Sequence, residues 1–162
     1  MRQLLFFIFL FLLVSCKSEI NKENQIKEDV AFLASDFLEG RQTGTRGEKE
    51  AAKYISNRFK ELGLVPKGTK KFLQPFTFKP KTNPHDEIKF DVNGDGTITG
   101  NNVMGLIDNK AENTIIIGAH YDHLGFGGEG SLYRDSIKAI HNGADDNASG
   151  VSILLNLAAK LK

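Results

Sequence analysis

The stretch that most constrains the fold is Thr114-Ile115-Ile116-Ile117-Gly118-Ala119, a short apolar run bounded by polar turns and ending on His120. Rich in β-branched residues and without polar alternation, it predicts a strand covered on both faces by other elements. Such a strand delivers His120 to its carboxyl end. A Gly-rich loop through Gly125, Gly127, Gly128 and Gly130 follows, then Asn142-Gly143-Ala144-Asp145-Asp146-Asn147-Ala148-Ser149-Gly150. Beyond it, Val151, Leu154, Leu155, Ala158 and Leu161 share one helical face. Strand, loop and helix in that order point to an α/β domain.

The residues before this unit predict helices first and strands second. Ile26, Val30, Leu33 and Phe37 recur at helical spacing between Asn21 and Glu39, with Gly40 placed as a left-handed terminator. After the loop Gly40-Arg41-Gln42-Thr43-Gly44, Thr45 and Glu48 have the form of a capping box. The helix it opens carries Ala51, Ala52, Ile55, Phe59 and Leu62 and ends at Gly63. Between Pro66 and Pro84 the alternating run Phe72 to Phe78 reads as an edge strand or extended loop, because Pro75 lacks a ladder donor. Ile88, Phe90 and Val92 alternate again, and Asn93-Gly94-Asp95-Gly96 predicts a hairpin turn towards Ile98. Val103 to Ile107 is a further strand. The fold class expected is therefore α/β, a mixed β-sheet flanked by helices.

Asp91 to Asp95 also matches the first half of a calcium-binding loop. The twelfth position is Asn102, where a bidentate Glu is needed, and no helices flank the segment, so the hairpin turn explains it better.

The amino terminus stands apart in composition. Arg2 precedes the apolar run Leu4 to Val14, which is too short to span a bilayer and is followed at once by Ser15, Cys16 and polar residues. Leu13-Val14-Ser15-Cys16 resembles a bacterial lipobox, and Cys16 is the single cysteine of the chain. Residues 1–16 are thus expected to be a lipoprotein signal peptide with Cys16 as the lipid attachment site, and 17–162 part of an exported, envelope-located domain held to a membrane by that lipid. With a formal net charge of +1 and interspersed charges, the chain has no basic stripe for nucleic acid.

Two clusters can carry chemistry. His120-Tyr121-Asp122 sets an imidazole and a carboxylate two residues apart, on one face of an extended segment, where the carboxylate can orient a metal-bound imidazole. Asp145-Asp146 crowds two carboxylates into a turn of small residues, an arrangement that a cation would relieve but that a solvated turn or helix cap also explains.

Taken together with Leu33-Ala34-Ser35-Asp36-Phe37-Leu38-Glu39-Gly40-Arg41-Gln42-Thr43-Gly44-Thr45-Arg46-Gly47-Glu48, the segments Gly118 to Gly125 and Asn142 to Gly150 resemble peptidase family 28 of clan MH. That family contains co-catalytic di-zinc aminopeptidases. The resemblance implies a zinc aminopeptidase fold, phosphorylase/hydrolase-like, incomplete at its C-terminus, and a metallo-exopeptidase acting on the N-terminal residues of peptides. It further implies that His120 ligates zinc, Asp122 orients it, Asp145 bridges two zincs and Asp146 supports the turn, with His123 and His141 lining the site. In such a centre two ions activate a water, polarise the scissile carbonyl and stabilise the oxyanion. The family pattern continues with a Glu-Glu pair, an Asp and a His. No Glu-Glu occurs in this chain, so these residues alone are expected to be inactive. Two alternatives stay open: a single-zinc acyltransferase resembling glutaminyl cyclases, and a non-catalytic lipoprotein that keeps only the scaffold.

Overall fold

The structure is a computed structural model, and it describes residues 22–79, 90–91, 97–127, 131 and 137–162. The leader with Cys16, the turn 93–96 and part of the Gly-rich loop lie outside the described residues.

Helix α1 spans Lys22–Leu33 and is shorter than its periodicity suggests. The Ser35 hydroxyl takes the Phe32 carbonyl at 2.7 Å, and Ser35 itself is extended (ψ 151), so the α-helix cannot continue. A 3-10 segment, Asp36–Arg41, follows and turns Phe37 to solvent, 55% exposed, instead of into the core. Helix α2, Arg46–Glu61, begins at Thr45, whose hydroxyl accepts from the Glu48 N–H. The return half of the capping box is absent: Thr45 N–H bonds to Gln42 O, and the Glu48 carboxylate is spent elsewhere. Gly63 closes the helix in the left-handed region, at φ +66.

Both described sheets are small and antiparallel, a correction to the single mixed sheet expected from sequence. One pairs β1, Val65–Pro66, with β5, Gly105–Leu106. The other has the order β3-β2-β4, with β2 at Leu73–Phe78, β3 at Phe90–Asp91 and β4 at Ile98–Val103. Two expectations fail here. The strand at Ile98 pairs with β2 and not with Phe90, so β3 and β4 do not form a hairpin. The proline-bearing strand is also central instead of marginal. Its Pro75 faces Asn101, which turns its N–H to Glu48 (3.1 Å) and its carbonyl to Tyr121 (2.5 Å). A pair of that kind exchanges no ladder bond, and on the other side β3 pairs with β2 only at Thr77 and Phe78, so no described ladder bond is asked of the Pro75 nitrogen.

The run Thr114 to Ala119 departs furthest from expectation. It forms no strand among the described residues, and Ile115 and Ile116 are 86% and 92% exposed. Apolar composition makes a segment able to lie in a buried sheet, but neighbouring strands must supply the ladder bonds.

Helix α3, Ser149–Leu161, packs on α1 and α2 through Val151, Leu155 and Ala158, while Leu161 stays exposed. Leu33, Leu38, Ala51, Ile55, Phe59, Leu64 and Phe72 complete the core. Asp29 of α1 is buried but satisfied, accepting from Tyr54 at 2.6 Å and from Arg58 and Gln25 at 3.2 Å each. No helix among the described residues is long and apolar enough to cross a membrane.

Candidate metal centre

The segment carrying His120 is held in place by Tyr121 and not by a sheet. Alternation along the extended chain sends Tyr121 inward, and its hydroxyl lies 2.5 Å from both Glu48 Oε1 and Asn101 O. Burial pushes the Tyr121 hydroxyl well above the usual phenol range, with the Glu48 hydrogen bond and charge adding to it. Its neighbours then face outward, His120 and Asp122 being about half exposed.

The imidazole of His120 is held from one side and offered on the other. Its Nδ1 is 3.2 Å from the Asp122 carbonyl and 3.5 Å from Asp122 Oδ1, and Asp122 Oδ2 accepts from Thr43 Oγ1 at 3.0 Å. Its Nε2 faces Asp146 Oδ1 at 3.1 Å. The second Asp146 oxygen is 3.7 Å from His123 Nδ1. Burial pushes the His123 imidazole below its ordinary range; Asp146 opposes this, and Arg41, His141 and His120 reinforce it.

The loop presenting Asp146 is pinned at both ends. Asn142 Nδ2 donates to Ala34 O at 2.8 Å and to Asp36 Oδ1 at 2.7 Å, tying the loop to the end of α1. Gly143 is left-handed at φ +58, and a Cβ there would come 2.7 Å from the His123 ring. The wide turn Ala144–Ala148 leaves helical dihedrals at Asp146 and Asn147, and Asn147 Nδ2 donates to His120 O at 3.3 Å. Asp145 is exposed, and among the described residues its carboxylate forms no ion pair or hydrogen bond. Of the two adjacent carboxylates, the structure thus brings Asp146, not Asp145, to His120.

Donors 3.1 Å apart suit one small cation. Tetrahedral zinc with bonds of about 2.0–2.2 Å separates neighbouring donors by roughly 3.3–3.6 Å, so the pair would open by a few tenths of an ångström to hold it. No group of three or more candidate ligands occurs among the described residues. His141 Nε2 contacts Ser131 Oγ at 3.2 Å, and its ring stands 6.4 Å from that of His123, at the margin of the site.

From the sequence Glu48 reads only as half of a capping box, and Thr43 and Arg41 carry no role. Arg41 is fully buried, and its guanidinium donates to main-chain carbonyls of Leu33, Tyr121, Asn142 and Gly143. The signal available for these residues was their place around the Gly40 to Gly44 loop, but apart from Leu33 the partners of their side chains are 53 to 102 positions away.

Residues 102–162, which hold His120, Asp122, His123, His141, Asp145 and Asp146, match the family described as Peptidase family M28. This segment is similar to peptidase family M28. The chain is 30% identical over 126 residues to the alkaline phosphatase isozyme conversion protein of Escherichia coli (strain K12), an alignment covering 78% of this chain and 34% of that protein. The chain thus spans about a third of the length of this relative. No solved structure matches it. Peptidases of family M28 are generally zinc-dependent, and the His120–Asp146 pair offers donors of the right type. Arg41, Thr43 and Glu48 lie before the matched segment, although they contact it directly.

Proposed function

We propose that this chain is part of an M28 peptidase and supplies the first donors of a di-zinc aminopeptidase centre, with His120 and Asp146 as zinc ligands and Asp146, not Asp145, as the bridging carboxylate. The observation that carries this reading is the 3.1 Å approach of Asp146 Oδ1 to His120 Nε2, while Asp122 occupies the other imidazole nitrogen. Asp122 holds the ring so that Nε2 faces outward, and Thr43 in turn holds Asp122. A bidentate carboxylate at Asp146 has one oxygen for His120's side and a second towards His123. Zinc bound there would supply Lewis-acid polarisation of a scissile carbonyl and an activated water for peptide hydrolysis.

Two ligands fall short of the three that an open catalytic zinc normally has. The 162 residues on their own are therefore proposed to bind zinc weakly and to release no amino acid. The apolar leader and Cys16 support export and a lipid anchor at the cell envelope, with peptides as substrates there.

Zinc titration of the purified chain tests the assignment. His120→Ala and Asp146→Asn should weaken binding at least tenfold, and Asp145→Asn should leave it unchanged. A dominant effect of Asp145→Asn would return the bridging role to that residue. Turnover of a leucine amide by these residues with stoichiometric zinc would overturn the inactivity. Metabolic labelling with a fatty acid, lost in Cys16→Ala, tests the anchor.

A further inference from the structure

We infer that Arg41 is the positioning residue of this centre: one buried guanidinium holds the His120 segment and the Asp146 loop in a common register. The assignment rests on the metal reading above, but the crosslink itself is a matter of hydrogen bonds. Arg41 Nε donates to Tyr121 O at 2.6 Å, inside the His120-Tyr121-Asp122 triplet. Nη1 donates to Asn142 O at 2.6 Å and Nη2 to Gly143 O at 2.9 Å, at the root of the loop that carries Asp146. Nη1 also reaches Leu33 O, the last residue of α1. The same stretch of backbone closes the arrangement: His123 N–H donates to Arg41 O at 3.2 Å, and Gly125 N–H to Gly40 O at 3.1 Å.

Three physical points separate this role from core filling. A fully buried cation without a hydrogen-bonded carboxylate partner is costly, and an apolar side chain of similar volume would serve packing better. Only a guanidinium offers five donors in a planar fork, so that separate carbonyls from three segments can be met at once; an ammonium at the same point would reach fewer of them. The backbone also accepts strain to put the fork there, because Glu39, Gly40 and Arg41 are consecutively left-handed at φ 50, 67 and 51. Neither site segment is itself a strand among the described residues; Tyr121 also reaches Asn101 O and Asn147 also reaches His120 O, but Arg41 is the buried group that bonds the main chain of both segments. Its guanidinium is engaged by main-chain carbonyls, and it acts through the main chain beside each ligand.

Two measurements on the full chain test this. Native-state amide exchange should show residues 119–123 and 142–148 opening as one unit with the same denaturant dependence; independent opening of the two segments would overturn the crosslink even if no variant folds. Metal binding is then compared in Arg41→Lys and in Leu155→Ala, a core substitution away from the site. Arg41→Lys should raise the zinc and cobalt Kd on the order of 10- to 100-fold and alter the visible cobalt spectrum at saturation. Leu155→Ala should lower Tm and leave both unchanged. If Arg41→Lys lowers Tm but keeps the wild-type Kd and spectrum, its role is structural only and the inference fails. If wild-type protein takes up no cobalt, the metal reading fails, and the exchange experiment still decides the crosslink.

Discussion

Replacing Tyr121 by Phe removes one hydroxyl and nothing else from the wall beneath the candidate centre. In the native protein that hydroxyl sits 2.5 Å from Glu48 Oε1 and 2.5 Å from Asn101 O. Glu48 is 1% exposed; among the described residues its Oε2 has no hydrogen-bond partner, and without Tyr121 its Oε1 keeps only the Asn101 N–H and amide at 3.1 and 3.3 Å. A hydrogen bond to a charged acceptor contributes about 1.5–3 kcal/mol, and the loss is not recovered by water at a buried carboxylate. The expected destabilisation is therefore about 2–3 kcal/mol. At roughly 2–4 °C per kcal/mol for a chain of this size, Tm should fall by about 4–12 °C. Far-ultraviolet circular dichroism during heating measures it, with urea unfolding as an independent check on the free energy. Combining Tyr121→Phe with Glu48→Gln in a double-mutant cycle should give a coupling energy of about 1 kcal/mol or more. A Tyr121→Phe protein within about 0.5 kcal/mol of wild type, the range of an ordinary surface change, would show that the hydroxyl does not anchor the His120 segment.

Gly40→Ala should cost at least about 2 kcal/mol in urea unfolding, since the position is left-handed at φ +67 and a Cβ would stand 2.6 Å from the main-chain oxygens of Gly125 and His141. Gly118→Ala, whose Cβ would meet nothing within 4 Å, is its control and should change stability by less than about 0.5 kcal/mol. Leu155→Ala empties a fully buried position in the core and should lower unfolding free energy by about 2–5 kcal/mol; an unchanged Tm would mean that α3 does not pack as described. Tyr54 is raised above its ordinary phenol range, first by burial and then by its hydrogen bond to Asp29. The unfolded chain loses that proton from about pH 10 upward while the folded chain keeps it, so stability present below pH 10 should fall as pH rises further. Tyr54→Phe should flatten that alkaline slope in unfolding experiments; an identical slope in both proteins would contradict the shift.

Local sequence determined a good deal of this protein. Thr45 and Gly63 delimit α2 because capping and left-handed termination depend on a few adjacent residues. The outward pair His120 and Asp122 follows from alternation about an inward Tyr121, even with no strand present. Tertiary structure decided what depends on distant partners. Asp145 and Asp146 are adjacent acids in a turn of small residues, and composition cannot say which one faces an imidazole 26 positions earlier. That choice is made by the dihedrals of Asp146, φ −115 and ψ 87, in a loop held by Asn142 and Arg41 against the end of α1. Pro75 reads as an edge residue until its register is seen, with Asn101 turned away on one side and β3 paired only at Thr77 and Phe78 on the other. Ile115 to Ile117 carry the composition of a buried strand, yet composition records affinity for an apolar setting and not whether neighbouring strands provide one. Short-range preferences are written in consecutive residues, whereas the register between the His120 and Asp146 segments rests on contacts between distant residues, the Asn147 amide on His120 O and a buried guanidinium that reaches both.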